Sequence, residues 1–263
     1  MKFYCIPPNK HLNMMDYGDR YFALCHHYIN DKEYRNYFLK LREKAPDAFI
    51  TLDNGAAEES LVTEDVLLEV VNELKPNEVI APDVLFDKKL TLNNFYSFVK
   101  KIESNGMLRH TSLFACPQGK TKYEWLECFA AMQSCPYVTC IGLSKIAVPK
   151  CWNNATNDVL IGLSRNQCVQ ELNNKNLVNK PLHLLGMGEH NEFDYYLDNK
   201  ISNIRSSDSC YTILAAINGI KFSDGITTRI PTTNEYFNKT LTRDEQTLAR
   251  LNIEYLKTKY QNI

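Results

Sequence analysis

SNIRSSDSCYTILAAING, residues 202–219, runs through mixed apolar and polar positions to a carboxylate, Asp208, then becomes helix-like through two alanines and stops at Gly219. A strand passing directly into a helix, with an acid at the join, is the repeating unit of a βα enzyme, whose chemistry sits at the strand mouths. Asp53 occupies the same setting far upstream, at the end of Ile50-Thr51-Leu52-Asp53-Asn54-Gly55. Two carboxylates so placed point to glycosidic chemistry.

Working outward, short apolar runs recur with helix-compatible stretches between them. The candidate strands are Lys2–Ile6, Tyr21–His26, Ala48–Leu52, Glu78–Pro82, Ser112–Cys116, Val138–Leu143, Pro181–Leu185 and Ser202–Arg205. The candidate helices are Asp31–Lys44, Thr63–Leu74, Leu92–Ser104, Lys122–Gln133, Ser164–Asn174, Glu192–Asp198, Thr212–Ala216 and a C-terminal Thr242–Tyr260. Thr63, followed by two acids, reads as an N-cap, and Thr242 with Glu245 has capping-box spacing. Eight strands with intervening helices predict a (β/α)₈ TIM-type barrel, one domain over residues 1–263. An open doubly wound sheet would carry a glycine-rich first turn, where this chain has Pro7-Pro8.

The bulk numbers narrow the class without naming a ligand. Thirty basic against 31 acidic residues place no global electrostatic demand for nucleic acid, although a local basic stripe remains compatible with them. Nine cysteines form no CxxC pair and several lie in apolar runs, so they read as reduced core residues of an intracellular protein. MKFYCIPPNK lacks a long apolar leader core, and no run approaches the roughly 20 apolar residues that span a bilayer. A cytoplasmic location, with no membrane partner, is the expectation.

Polar or glycine-containing segments follow almost every strand: LDNG (52–55), APD (81–83), PQG (117–119), IGLS (141–144), LLGMG (184–188) and SSDS (206–209). In a barrel they converge on one face. In this order the set resembles the tRNA-guanine transglycosylase superfamily, whose strand ends read approximately DSGG, FDE, VQGG, GGLAVG, LMGVG and FDCV. The resemblance runs from about residue 48 to 219.

Carried over position by position, the resemblance implies that Asp208 is the nucleophile that attacks C1′ and that Asp53 is the general acid/base serving the leaving and incoming bases. Asp83 would accept from the N1–H and N2–H donors of a guanine-like base. Gln118 would address its O6/N7 side, joined by backbone amides around Gly142 and Leu143, and Leu185, Gly186 and Met187 would form an apolar wall. No cofactor is implied.

The chain also departs from the family's pattern. No cysteine or histidine follows Cys210, so the family's structural zinc site and its subdomain are absent, and no metal is expected. The arginine-rich stretch after the nucleophile is replaced by SCYTILAAINGIKF (209–222). The small size and these absences make the phage and bacterial DNA transglycosylases, which insert 7-deazaguanine bases such as preQ0, the branch it most resembles. The expected partners are then DNA and a 7-deazaguanine base, with tRNA as the alternative polymer. Lys88, Lys89, Lys120, Lys122, Lys145, Lys150 and Arg165 are candidates for phosphate contacts.

Plainer roles stay open at every position. Asp53 suits a turn, Asp83 and Asp208 suit helix caps, and Met187 suits the core. His183, in an apolar strand, reads as structural, whereas His26, His27 and His190 lie near strand ends within reach of a substrate. Glu189 has two uses, a substrate hydrogen bond or a cap. A zinc-free tRNA enzyme, a non-catalytic partner subunit and a small-molecule glycosidase or nucleoside hydrolase remain alternatives. Oligomeric state is not legible.

Overall fold

A computed structural model describes residues 1–56, 62–154, 158–225, 230 and 232–263; the side chains of 158–161 and 234 are not described. Eight strands form one parallel sheet: β1 Lys2–Cys5, β2 Tyr21–Leu24, β3 Ile50–Asp53, β4 Glu78–Ile80, β5 Ser112–Ala115, β6 Val138–Ser144, β7 Leu182–Leu185 and β8 Ile204–Ser209. Their order is β1-β8-β7-β6-β5-β4-β3-β2. Tyr4 bridges Arg20 at the seam between the first and last, so the sheet is a nearly closed (β/α)₈ barrel.

The helices lie outside the strands, and the amphipathic ones turn their apolar face inward, as α3 does with Leu67, Leu68, Val70, Val71 and Leu74. They are α1 Cys25–Asn30, α2 Lys32–Lys44, α3 Glu64–Leu74, α4 Lys88–Ser104, α5 Lys122–Gln133, α6 Ala147–Trp152, α7 Asp158–Asn174, α8 Asp194–Asp198, α9 Tyr211–Ile217 and α10 Arg243–Lys259. Side chains start five of them: Asp31, Thr63, Asp87, Thr121 and Thr242 each accept from backbone N–H groups of the first turn. Thr242 and Glu245 complete the expected capping box. Inward from α5, Trp125, Cys128, Phe129 and Met132 are buried against the sheet, at about 1.5–3 kcal/mol for each large apolar side chain.

Several boundaries differ from the sequence reading. The last strand extends through Ser209 instead of ending at Arg205, because β1 pairs with it along Lys2↔Ser206 to Cys5↔Ser209. Its polar residues gave no strand signal, yet they are satisfied inside the barrel. The second strand ends at Leu24, and Cys25 opens α1; α4 begins four residues earlier than expected, at Lys88, set by the Asp87 cap. The short α6 was not foreseen. Loops expected over 153–158 and 224–238 fall partly outside the described residues.

The barrel interior is more polar than its outer layer. In β8, Arg205 is an extra residue between the pairs Leu182↔Ile204 and His183↔Ser206, a bulge that re-aims its side chain. Its guanidinium meets both oxygens of Glu78, at 2.5 and 2.8 Å, and Glu78 also accepts from Thr139 and Thr51. Glu78 is 1% exposed. Burying such a pair costs desolvation, which the two parallel hydrogen bonds offset only because the geometry is bidentate.

Candidate active site

At the C-terminal ends of the strands lies a cavity of about 300 Å³. Asp53, Asp83, Gln118, Leu185, Gly186 and Asp208 all line it, so residues scattered over 156 positions of sequence meet in one hollow. Ile6, Phe22, Leu24 and Ile80 add an apolar wall. A larger hollow of about 820 Å³ opens at the other end, beside the starts of β1, β7 and β8, and contains none of the three carboxylates. That end of a barrel is concerned with stability, so the smaller cavity is the candidate site.

Asp208 is 7% exposed. Its Oδ1 accepts two hydrogen bonds, from Nε2 of His183 at 2.8 Å and from the Gly186 amide at 3.0 Å. Oδ2 has no hydrogen-bond donor among the described residues. Asp208 does not cap α9: the Tyr211 amide donates to Ser209 Oγ at 2.9 Å instead.

Behind Asp208 runs a chain of donors. His183 Nδ1 lies 2.7 Å from Ser206 Oγ, which accepts from Arg205 Nε at 3.2 Å. A carboxylate only accepts, so Nε2 carries the proton toward Asp208 and Nδ1 accepts from the Ser206 hydroxyl. Burial lowers the His183 pKa below its ordinary value, against the opposing pull of Asp208, so the contact is a hydrogen bond from a neutral imidazole to the carboxylate rather than an ion pair. Tyr4, Phe22 and Phe114 pack around the ring with centroids 5.5, 6.3 and 5.1 Å away.

Asp83 is held just as firmly. Asn54 Nδ2 donates to Oδ1 at 2.7 Å and Gln118 Nε2 to Oδ2 at 2.6 Å. Desolvation raises its pKa to about 6, although both amides favour the ionised form. Asp83 does not cap α4, a role taken by Asp87. Asp53 does accept from the Gly55 amide, at 2.9 Å, so its turn role is real and coexists with a place on the cavity wall.

Several sequence assignments need correction. Gln118 is fully buried, and its amide is committed: Oε1 accepts from the Phe86 amide at 3.2 Å while Nε2 holds Asp83. It positions an acid instead of reaching a base. Gly142 and Leu143 lie inside β6 and do not line the cavity. A Cβ on Gly142 would meet Leu185 at 2.5 Å and Phe114 at 2.6 Å, so packing, not a ligand, demands glycine there. Met187 is 2% exposed and belongs to the core. His26, His27, His190 and Glu189 are also absent from the lining.

Among the candidate cations only Lys145 lines the cavity. Arg165 is completely buried, 2.5 Å from Glu192, and donates to the Leu185 carbonyl at 3.0 Å, so it is no phosphate contact. Lys88 pairs with Glu127, Lys122 with Glu171, and Lys150 reaches Asn154. Lys89 and Lys120 are exposed.

The sequence reading missed two residues, Asn54 and His183. Asn54 was absorbed into a turn motif, while His183 stood alone in PLHLL. The available signal was parity: in a strand, residues two apart share a face, and His183 is two before Leu185.

No protein-family model matches the chain, and no curated protein matches it. Six of the nine cysteines are buried, and no helix among the described residues is long and apolar enough to cross a membrane.

Proposed function

We propose that this protein is a base-exchange transglycosylase that replaces guanine in DNA with a 7-deazaguanine, preQ0 or a relative, through a covalent glycosyl-enzyme intermediate. The observation that carries the reading is the asymmetry of Asp208, with Oδ1 anchored twice and Oδ2 left for attack, in the same cavity as an anchored Asp83.

In the first step Oδ2 of Asp208 bonds to C1′ of the target nucleoside, the C1′–N9 bond breaks, and its electron pair leaves with the base. Protonated Asp53 supplies the proton that makes the departing base neutral. In the second step Asp53, now a carboxylate, removes the N9 proton of the incoming base. N9 bonds to C1′, and the C1′–oxygen bond returns its pair to Asp208. Both acids end as they began.

Base selection falls to Asp83. A carboxylate offers about four lone-pair sites; Asn54 and Gln118 take one on each oxygen and the Cys116 thiol bears on the same group, and the remaining acceptor capacity serves the N1–H and N2–H donors of guanine. The apolar wall supplies the flat faces. The cavity is at the small end of ligand pockets, on the scale of one extruded nucleotide rather than a duplex. DNA is favoured over tRNA by the sequence departures, above all the absence of the zinc ligands and of the arginine-rich stretch.

The test supplies labelled guanine or labelled 7-deazaguanines with DNA and, separately, with tRNA, and locates the label. Label in DNA supports the proposal. Label in tRNA alone would replace the polymer and keep the chemistry; label in neither, with glycosidic cleavage of a small nucleoside, would replace both.

A further inference from the structure

We infer that Lys145 is a specificity residue that faces position 7 of the bound base and selects neutral acceptor or anionic substituents there, such as cyano, carboxamide or carboxylate, over a cationic aminomethyl. The inference rests on the base-exchange reading and deepens it.

Lys145 is the one basic residue among the described residues lining the cavity. That cavity contains three carboxylates, yet no hydrogen bond or ion pair of the Lys145 ammonium occurs among the described residues. The side chain is nevertheless fixed in course. It crosses Gly186, where an added Cβ would lie 2.7 Å from Lys145 Cδ and 3.1 Å from Nζ, and Gly186 has φ +69°, a conformation that glycine adopts freely. The backbone amide of Lys145 donates to the Leu185 carbonyl at 3.1 Å, tying the loop after β6 to the end of β7. Among the described residues the ammonium has no carboxylate within ion-pair distance, so it is presented to whatever fills the hollow.

Which edge of the base it meets follows from the order of strands. Around the rim come Asp53 at the end of β3, Asp83 after β4, Gln118 after β5, Lys145 after β6, Gly186 after β7 and Asp208 on β8. With the N1/N2 edge at Asp83 and N9 toward Asp208, the two remaining edges lie on opposite sides. One carries N3; the other carries O6 and position 7. A 7-deazaguanine has carbon at position 7, so the proton that Asp53 exchanges must move on the N3/N9 side. Asp53 and Lys145 lie on opposite arcs between Asp83 and Asp208, which leaves O6 and position 7 facing Lys145.

A charge-assisted hydrogen bond from the ammonium to a cyano, amide or carboxylate group favours such bases by about 10- to 100-fold, whereas a protonated aminomethyl meets a like charge.

The experiment measures direct binding of free guanine and of 7-cyano-, 7-carboxy- and 7-aminomethyl-7-deazaguanine to the wild type and to Lys145→Met and Lys145→Glu, then their competitive incorporation into DNA. The readout is the ratio of affinities within one protein, so a general loss of affinity or stability cancels. We expect the wild type to rank cyano and carboxy above aminomethyl, Lys145→Met to flatten the ranking, and Lys145→Glu to invert it. An unchanged ranking in both variants overturns the role of Lys145 while leaving base exchange standing. The expected ranking in binding without incorporation overturns the exchange reading and keeps the role. Binding of none of the four bases overturns both.

Discussion

His183 Nε2, on β7, lies 2.8 Å from Asp208 Oδ1, on the neighbouring strand β8. The histidine is fully buried and uncharged, and its other nitrogen is fixed by Ser206, so neither ring nor tautomer is free to change without breaking the relay. The Gly186 amide lands on the same oxygen, at 3.0 Å. One carboxylate oxygen is thereby immobilised, and the other is oriented by default. Orientation of this kind is what lets a weak nucleophile work as a catalytic one.

His183 therefore acts as a positioning residue. Replacing it by leucine removes a hydrogen bond to a charged group, which lowers kcat by about 10- to 100-fold. His183→Gln, which retains an N–H donor, restores part of the loss. The affinity for the free base, which the proposed function assigns to Asp83, should stay close to that of the wild type. Steady-state kinetics with parallel thermal melts check this; a kcat unaffected by His183→Leu in a folded protein contradicts it.

Acid weakens base binding in a defined window. Burial raises the Asp83 pKa from 3.8 to about 6, so the group is an acceptor-only carboxylate above that value and carries a proton below it. Affinity for guanine should be full near pH 7 and above, then fall by up to about tenfold per pH unit below 6. The sign for stability is opposite: because the folded pKa is the higher one, the folded state takes up a proton as pH falls from about 6 toward 3.8, which relieves the strain of the buried charge. Calorimetric titration of the base across pH 5–8 reads the first effect, where a flat profile would remove Asp83 from base recognition.

Glu78 and Arg205 close the lower barrel as a bidentate pair and are not part of the cavity lining. Glu78→Ala strands a mostly buried guanidinium and should cost about 3–5 kcal/mol. Urea unfolding curves measure it. Because Arg205 also donates to Ser206, the same variant should loosen the relay behind His183 and lower kcat in the fraction that remains folded.

Legibility from sequence followed the physics of each position. Apolar runs announced the strands, because outward-facing residues of a barrel strand meet helices and must be hydrophobic. The last strand was cut short at Arg205 because Ser206, Ser207 and Asp208 are polar, and only the interior network seen in the fold makes them acceptable strand residues. Asp53, Asp83, Leu185, Gly186 and Asp208 were legible as a group, since strand ends of a barrel share one face. Gly142, Leu143 and Met187 were not separable from them: a glycine kept for Phe114 and Leu185 looks the same in sequence as one kept for a ligand. Gln118 and Arg165 failed for a related reason, because which partner consumes a polar side chain is a three-dimensional fact.

The most direct measurement of the central claim is to incubate the protein with guanine-containing DNA, quench in denaturant, and map any covalent protein–DNA adduct by peptide mass spectrometry. The account predicts an adduct on the peptide bearing Asp208, discharged when free base is added, missing in Asp208→Asn, with exchange in that variant reduced by about a thousandfold or more. An adduct on another residue, or full exchange by Asp208→Asn, would contradict it.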